Sequence, residues 1–205
     1  PAVDGYGPWP DLAGDARWKT ITARHLLTHS SGFANFAFLE PDEKLRIHFD
    51  PGTRYAYSGE GLILLQYVIE RGLGLDLGAE MQRRVFDRFG MPNTSMIWRA
   101  DFAANLADGW MEDGMVEPHD ERGRVRPAGS MDTSIADMAN LAAAYINGEG
   151  LKPGTFAAMT SPQLAITTAS QVPTLQDELP VAQRREDLAA GLGVVVFDGP
   201  QGAGF

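Results

Sequence analysis

Apolar positions along the 205-residue chain fall into a few blocks of helical spacing, separated by turn residues, with one block of strand character near the end. Leu62, Leu65, Gln66 and Ile69 recur at helical spacing and Gly72 stands where a C-terminal cap belongs, so a helix is expected over 60–71. A second helix is expected over 76–89, with Leu77, Met81, Val85 and Phe89 four apart and Gly90-Met91-Pro92 as its stop. A third begins at a Thr133 or Ser134 cap, carries Asp137 where a carboxylate suits the helix N-terminus, and presents Met138, Leu141, Ala142 and Tyr145 on its apolar side. Asn147-Gly148 ends it. Shorter helices are expected from a Thr20 or Thr22 cap to Thr28, stopped by Ser30-Ser31-Gly32, and over 156–159, broken by Ser161-Pro162.

Leu192-Gly193-Val194-Val195-Val196-Phe197 is apolar and β-branched and reads as a strand. Asp198-Gly199-Pro200 follows as a hairpin turn, with the returning strand beginning over 201–205. Short extended pieces are expected near 109–111 and 115–117, inside a loop-like stretch from Ile97 to Pro127. Residues 1–19, rich in proline and glycine around Trp9 and Trp18, and residues 163–187, broken by Pro173 and Pro180, show no period. The pattern is that of a helix-rich body with a sheet beginning at its end.

One stretch stands apart. Phe49-Asp50-Pro51-Gly52-Thr53-Arg54-Tyr55-Ala56-Tyr57-Ser58-Gly59-Glu60-Gly61 reads as a Pro-Gly turn, an extended piece and a Tyr-Ser-Gly corner that opens the first long helix. Glycines on both sides of the corner let backbone approach closely and let the Tyr57 ring project outward.

Composition narrows the function. A hydrophobic share of 44% and a charged share of 21% are ordinary for one globular domain of this length. Lys+Arg 17 against Asp+Glu 27 gives a formal net charge of -10, which argues against nucleic acid or an anionic membrane as partner. With Cys 0 there is no disulfide, thiolate catalysis or cysteine-ligated zinc. No run approaches the roughly 18 apolar residues of a membrane span. The compartment stays open, with a periplasmic or secreted location favoured over a cytoplasmic one. His25 and His29 lie four apart on the short helix, but Leu26 stands where a metalloprotease helix carries its glutamate, so no metal is expected there. Asp108, Glu112, Asp113, Glu117, Asp120 and Glu121 crowd the loop region without a calcium-loop pattern, and His119-Asp120 reads as exposed loop.

The corner and three further segments resemble, in order, the serine β-lactamase and penicillin-binding-protein superfamily, in the branch of class C β-lactamases, D-aminopeptidases, D-Ala-D-Ala carboxypeptidases and related esterases. Phe49 to Ser58 is similar to its Phe-x-Pro-Gly-Thr-x-x-x-Tyr-Ser motif. Ile21-Thr22-Ala23-Arg24-His25-Leu26-Leu27-Thr28-His29-Ser30-Ser31-Gly32 resembles its Ile-Thr-x-x-x-Leu-Leu-Thr-His-Thr-Ser-Gly block. Phe89 to Ser95 and Ala128 to Ala139 resemble its Leu-Gly-Met-x-x-Thr segment and its Ala-Gly-Gly helix entry. The resemblance runs from about Ile21 to the end. It implies an α+β fold: an antiparallel sheet flanked by helices beside an all-helical lobe, with this chain as a single domain, 1–205, covering mainly that lobe.

The resemblance also implies acyl transfer through a serine ester, on a small-molecule ester or D-amino-acid amide and without a cofactor. Tyr57 takes the general-base role, with Tyr55 as the alternative that the Tyr-x-Asn motif disfavours. Ser58, Gly59, Asn35 and Ser130 are the candidate substrate-binding residues. An unperturbed phenol of pKa ~10 is a poor base at neutral pH, and a lysine beside it favours the phenolate. Departures matter as much. Lys19, Lys44 and Lys152 are preceded three residues earlier by Ala16, Pro41 and Glu149, so no Ser-x-x-Lys occurs, nor does Lys-Thr-Gly or His-x-Gly. The expectation is therefore the middle of a longer protein, with the nucleophilic serine upstream and the third-motif strand downstream. Gly59 stands where class C enzymes carry an asparagine that helps bind the substrate amide, which moves the expectation from β-lactamase towards esterase or peptidase. A β-lactamase or D-Ala-D-Ala carboxypeptidase, and a non-catalytic binding module that keeps the fold, remain the alternatives.

Overall fold

The computed structural model describes residues 6, 7, 9–200 and 202–205. Expectations for residues 1–5 and 8, and for Gln201 in the returning strand, lie outside the described residues. In chain order the helices are α1 (Ala23–Leu27), α2 (Gly59–Tyr67), α3 (Leu77–Met81), α4 (Ile135–Ile146) and α5 (Pro153–Thr160). The strands are β1 (Gly109–Trp110), β2 (Val116–Glu117), β3 (Leu164–Ala165), β4 (Leu188–Ala190), β5 (Val195–Gly199) and β6 (Gly202–Gly204). The chain divides into two compact units, Pro1–Val68 with Leu151–Phe205, and Ile69–Gly150.

The first unit holds α1, α2, α5 and an antiparallel sheet of order β3-β4-β5-β6. Leu164 pairs with Ala190, Ala189 with Val196, and Phe197 with Gly204. Where the sequence shows one strand and the start of a returning one, four strands are present in this sheet among the described residues, so this chain contributes more sheet than a mainly helical lobe would. β3 and β4 are two and three residues long, too short for an alternating pattern to stand out. Leu192 and Gly193, expected in the strand, instead turn between β4 and β5: their N–H groups donate to Met159 O (3.0 Å) and Leu27 O (2.9 Å). That turn thereby ties the sheet to the ends of α5 and α1.

Two apolar clusters hold this unit. Leu12, Phe33, Ala37, Leu45 and Ile47 pack together with Trp9, Ile21 and Leu64, and Phe33 is fully buried. Burying a side chain of that size contributes about 1.5–3 kcal/mol. Tyr55, Ile166 and Ala190 form the second, with Tyr57, Leu164, Leu188 and Val195 against it. The corner is thus seated on sheet residues. Of the two candidate caps for α1, Thr22 is the one used: its Oγ1 accepts from His25 N at 3.3 Å and His25 Nδ1 accepts from Thr22 N at 3.4 Å. The helix expected over 60–71 is α2 followed by a wider π-turn over Val68–Gly72, a distinction that apolar spacing does not resolve.

The second unit is built on Phe86, Met91 and Met96, with Met81, Val85, Phe89, Val125 and Leu141 against them. α3 is capped by Asp76, whose Oδ1 accepts from Ala79 N at 2.7 Å, and it runs into a π-turn over Gln82–Phe86. Ser134 caps α4 by accepting from Asp137 N at 3.2 Å, while Thr133 bonds Thr94 side chain to side chain. Asp137 does more than face a helix N-terminus. It is 2% exposed and its Oδ2 accepts from Asn93 N (2.7 Å) and Thr94 Oγ1 (2.8 Å), which fixes the 93–95 loop to α4. The two extended pieces pair as the antiparallel hairpin β1-β2. His119 departs from the exposed loop expected for it: the ring lies 4.4 Å from Trp98, with Nε2 buried 3.9 Å from Asp132 Oδ1. Among the described residues no helix is long and apolar enough to cross a membrane.

Candidate active site

The Tyr-Ser-Gly corner lies wholly within the first unit and is fixed from both sides. Gly52 adopts φ +86, the left-handed region open to glycine, and its N–H donates to Ser30 O at 2.8 Å. A Cβ there would meet His25 Nε2 at 2.8 Å, so the turn and α1 fit only with glycine. Downstream, Ala56 N donates to His29 O at 2.8 Å and Ser58 N donates to His29 Nδ1 at 3.1 Å. The block before the corner therefore forms its backrest.

The first turn of α2 has its N–H groups satisfied by protein. Ser58 is fully buried; its Oγ donates to Ala34 O (2.8 Å) and accepts from Gly61 N (3.0 Å). Asn35 Oδ1 accepts from Gly59 N (2.9 Å) and Asn35 O accepts from Glu60 N (2.9 Å). This helix start is closed to an anion, because its donors are already taken. Ser58 and Gly59 thus hold the corner in shape rather than offering it polar side-chain atoms. Asn35 keeps one end: its Oδ1 is engaged, while its Nδ2 donates to no described residue.

The two tyrosines have different surroundings. Tyr55 is 2% exposed inside the second apolar cluster, and burial, with Tyr57 adding to it, pushes its phenol up to about 12. Tyr57 is half-buried, and its hydroxyl bonds to no described residue. Its ring lies against the His29 imidazole, with centroids 4.4 Å apart and planes at 35°. Burial pushes His29 down to about 4, so the ring is neutral at neutral pH; with Nδ1 accepting from Ser58, the proton sits on Nε2. His29 has φ +50, unusual for a side chain other than glycine or asparagine, and its backbone is fixed by Leu26 O and Ala56 N.

Ser130 belongs to the second unit. It is fully buried, with Oγ donating to Met96 O (2.7 Å) and accepting from Arg126 N (2.8 Å), so its hydroxyl closes the loop before α4. Sequence reasoning passed over two residues of the first unit. The Phe36 ring fills the space beside Gly59, and its one signal in the sequence is the glycine, whose missing side chain leaves room for a close neighbour without saying which. Arg54 lies over the Phe49 ring at 5.6 Å, with buried Nε and Nη2 that have no hydrogen-bond partner among the described residues. Its place in an extended run gives no sign of that burial.

Comparison with known proteins follows the same lines. Residues 3–205 match the family described as Beta-lactamase. A beta-lactamase-like protein of Homo sapiens is 32% identical over 120 residues, covering 57% of this chain and 24% of that protein. A lovastatin esterase of Penicillium rubens is 34% identical over 114 residues, covering 44% of this chain and 28% of that protein. The chain thus spans about a quarter of the length of these curated relatives. A penicillin binding protein from Bacillus halodurans superposes with a TM-score of 0.64 at 21% identity, over 92% of this chain and 60% of that one. A class C beta lactamase gives 0.64 at 18% identity, over 94% and 51%. At such identities the likeness carries the fold alone.

Proposed function

Because the chain belongs to the beta-lactamase family, we propose that it carries part of the active site of a serine hydrolase acting on an ester or a D-amino-acid amide. Tyr57 is the general base, and the nucleophile is a serine not found among these 205 residues. A lysine of a Ser-x-x-Lys segment outside these 205 residues would favour the phenolate. The Tyr57 oxygen then takes the proton of the serine hydroxyl as that serine attacks the substrate carbonyl carbon. The same proton passes to the departing alcohol or amine, leaving an acyl-enzyme. Water then repeats the exchange and releases the acid. Asn35, through its amide Nδ2, is the polar contact offered to substrate from this unit.

The observation that carries this reading is the contrast between the two tyrosines. Tyr55 is enclosed among apolar side chains, while Tyr57 sits two residues on, on a hydrogen-bonded corner, with its hydroxyl uncommitted to any described residue. Similarity to a lovastatin esterase supports an ester as the substrate class. The test is covalent labelling of the full-length protein by a fluorophosphonate, with intact mass as the readout. One adduct is expected, formed 10²–10⁴-fold more slowly in Tyr57→Phe, as loss of a general base predicts. Absence of labelling under conditions that label a known serine esterase contradicts the proposal.

A further inference from the structure

The space beside Gly59 is held by an aromatic ring. A Cβ placed on Gly59 would lie 2.5 Å from Cε1 and Cζ of Phe36, a separation that real side chains do not tolerate. Phe36 is fixed there by its neighbours rather than by its own contacts alone. On one side, Asn35 takes the N–H groups of Gly59 and Glu60 and donates its own N–H to Thr174 Oγ1 at 3.2 Å. On the other, Ala37 N donates to Glu60 Oε1 at 3.2 Å. The peptide units before and after the ring are therefore both tied to the first turn of α2.

Phe38 stacks on Phe36, with centroids 5.2 Å apart and planes at 10°, yet is 65% exposed; Leu39 beside it is 60% exposed. Large apolar side chains held on a rigid turn and left open are the composition of a ligand-contact wall. Their place decides the ligand: the wall is anchored on the residue two positions after Tyr57. Resting on the hydrolase reading above, we infer that Phe36 and Phe38 form a specificity wall that selects esters bearing an extended alkyl or aryl substituent over short or polar ones. Each methylene placed on such a wall is worth at most one to two orders of magnitude in discrimination.

The experiment measures kcat/KM of the full-length protein for 4-nitrophenyl acetate and hexanoate, and for methyl and hexyl acetate. The first pair lengthens the acyl side and the second the alcohol side. The expected result is a preference of about 10–100-fold for the longer member of one pair, reduced at least fivefold in Phe38→Ala and in Phe36→Leu. Phe38→Ala removes an exposed ring and so keeps the interpretation clear of folding, which a melting curve verifies. Trp18→Ala, outside the wall, leaves the preference as in the parent protein. A preference unchanged in both Phe variants, or absent from both pairs, overturns the inference. If no ester is turned over and no fluorophosphonate adduct forms, the hydrolase reading fails separately. Saturation-transfer NMR with hexanoate then decides the wall: transfer lost in Phe38→Ala supports an apolar-chain site there, and no transfer overturns it.

Discussion

His29 is the residue on which the corner leans, and its protonation is the most local way to disturb it. The unfolded chain takes up a proton on this imidazole near 6.5, while the folded protein resists until about 4. The unfolded state therefore binds the proton first as pH falls. The stabilisation is complete above about pH 6.5 and is lost progressively down to about pH 4, a contribution of roughly 3 kcal/mol over that window. His29→Asn keeps an acceptor for Ser58 N and tolerates positive φ, but cannot titrate. Its unfolding free energy, measured by denaturant between pH 7 and 4, should fall less steeply than that of the parent by about this amount. An equal slope in the two proteins would mean that the imidazole is already solvated. Motif spacing and flanking glycines single out Tyr57 in the sequence, and the Tyr-x-Asn motif disfavours Tyr55 there. The burial of Tyr55 was not legible, because two tyrosines at i and i+2 look alike until one is seen inside an apolar cluster.

At the scale of elements, α2 begins with a capping arrangement that joins three chain segments. Ser58→Ala removes the acceptor of Gly61 N and the donor to Ala34 O in one step, and both partners are buried. Loss of a cap together with an orphaned buried carbonyl predicts destabilisation of about 2–3 kcal/mol, read as a lower denaturant midpoint at unchanged slope. α4 shows what sequence does and does not reveal. Its boundaries follow from Ser134 and Asn147, but the burial of Asp137 and its grip on Asn93 and Thr94 do not, since a carboxylate in a first helical turn already has a sufficient local reason to be there. α2 is harder still: Leu62, Ile63, Leu64 and Leu65 are apolar in succession, so spacing cannot choose a face, and Ile63 and Gln66 are the buried pair. β3 and β4 were hidden because they span two and three residues, and pairing across the chain rather than pattern within it makes them strands.

For the whole molecule, charge sets what it meets. A formal net charge of -10 predicts that the protein at neutral pH and physiological salt is retained neither by immobilised heparin nor by anionic lipid vesicles, which co-sedimentation and column elution would show. Retention at 150 mM salt would require a basic face that composition does not suggest. Family membership rests on a match over residues 3–205, while the curated relatives are about four times longer than the stretch they share with it. Tyr57 therefore has its meaning only within the whole protein. On the proposed reading, Phe36 and Phe38 select which ester the corner accepts, and Tyr57 moves the proton.

The central claim is that Tyr57 moves the proton, and the most direct measurement is the rate of fluorophosphonate labelling of the full-length protein, Tyr57→Phe and Tyr55→Phe, followed by intact mass. The account predicts a single adduct in all three, with Tyr57→Phe slower by 10²–10⁴-fold and Tyr55→Phe within a few-fold of the parent. Equal rates for Tyr57→Phe and the parent, or a slow Tyr55→Phe beside a fast Tyr57→Phe, would contradict it.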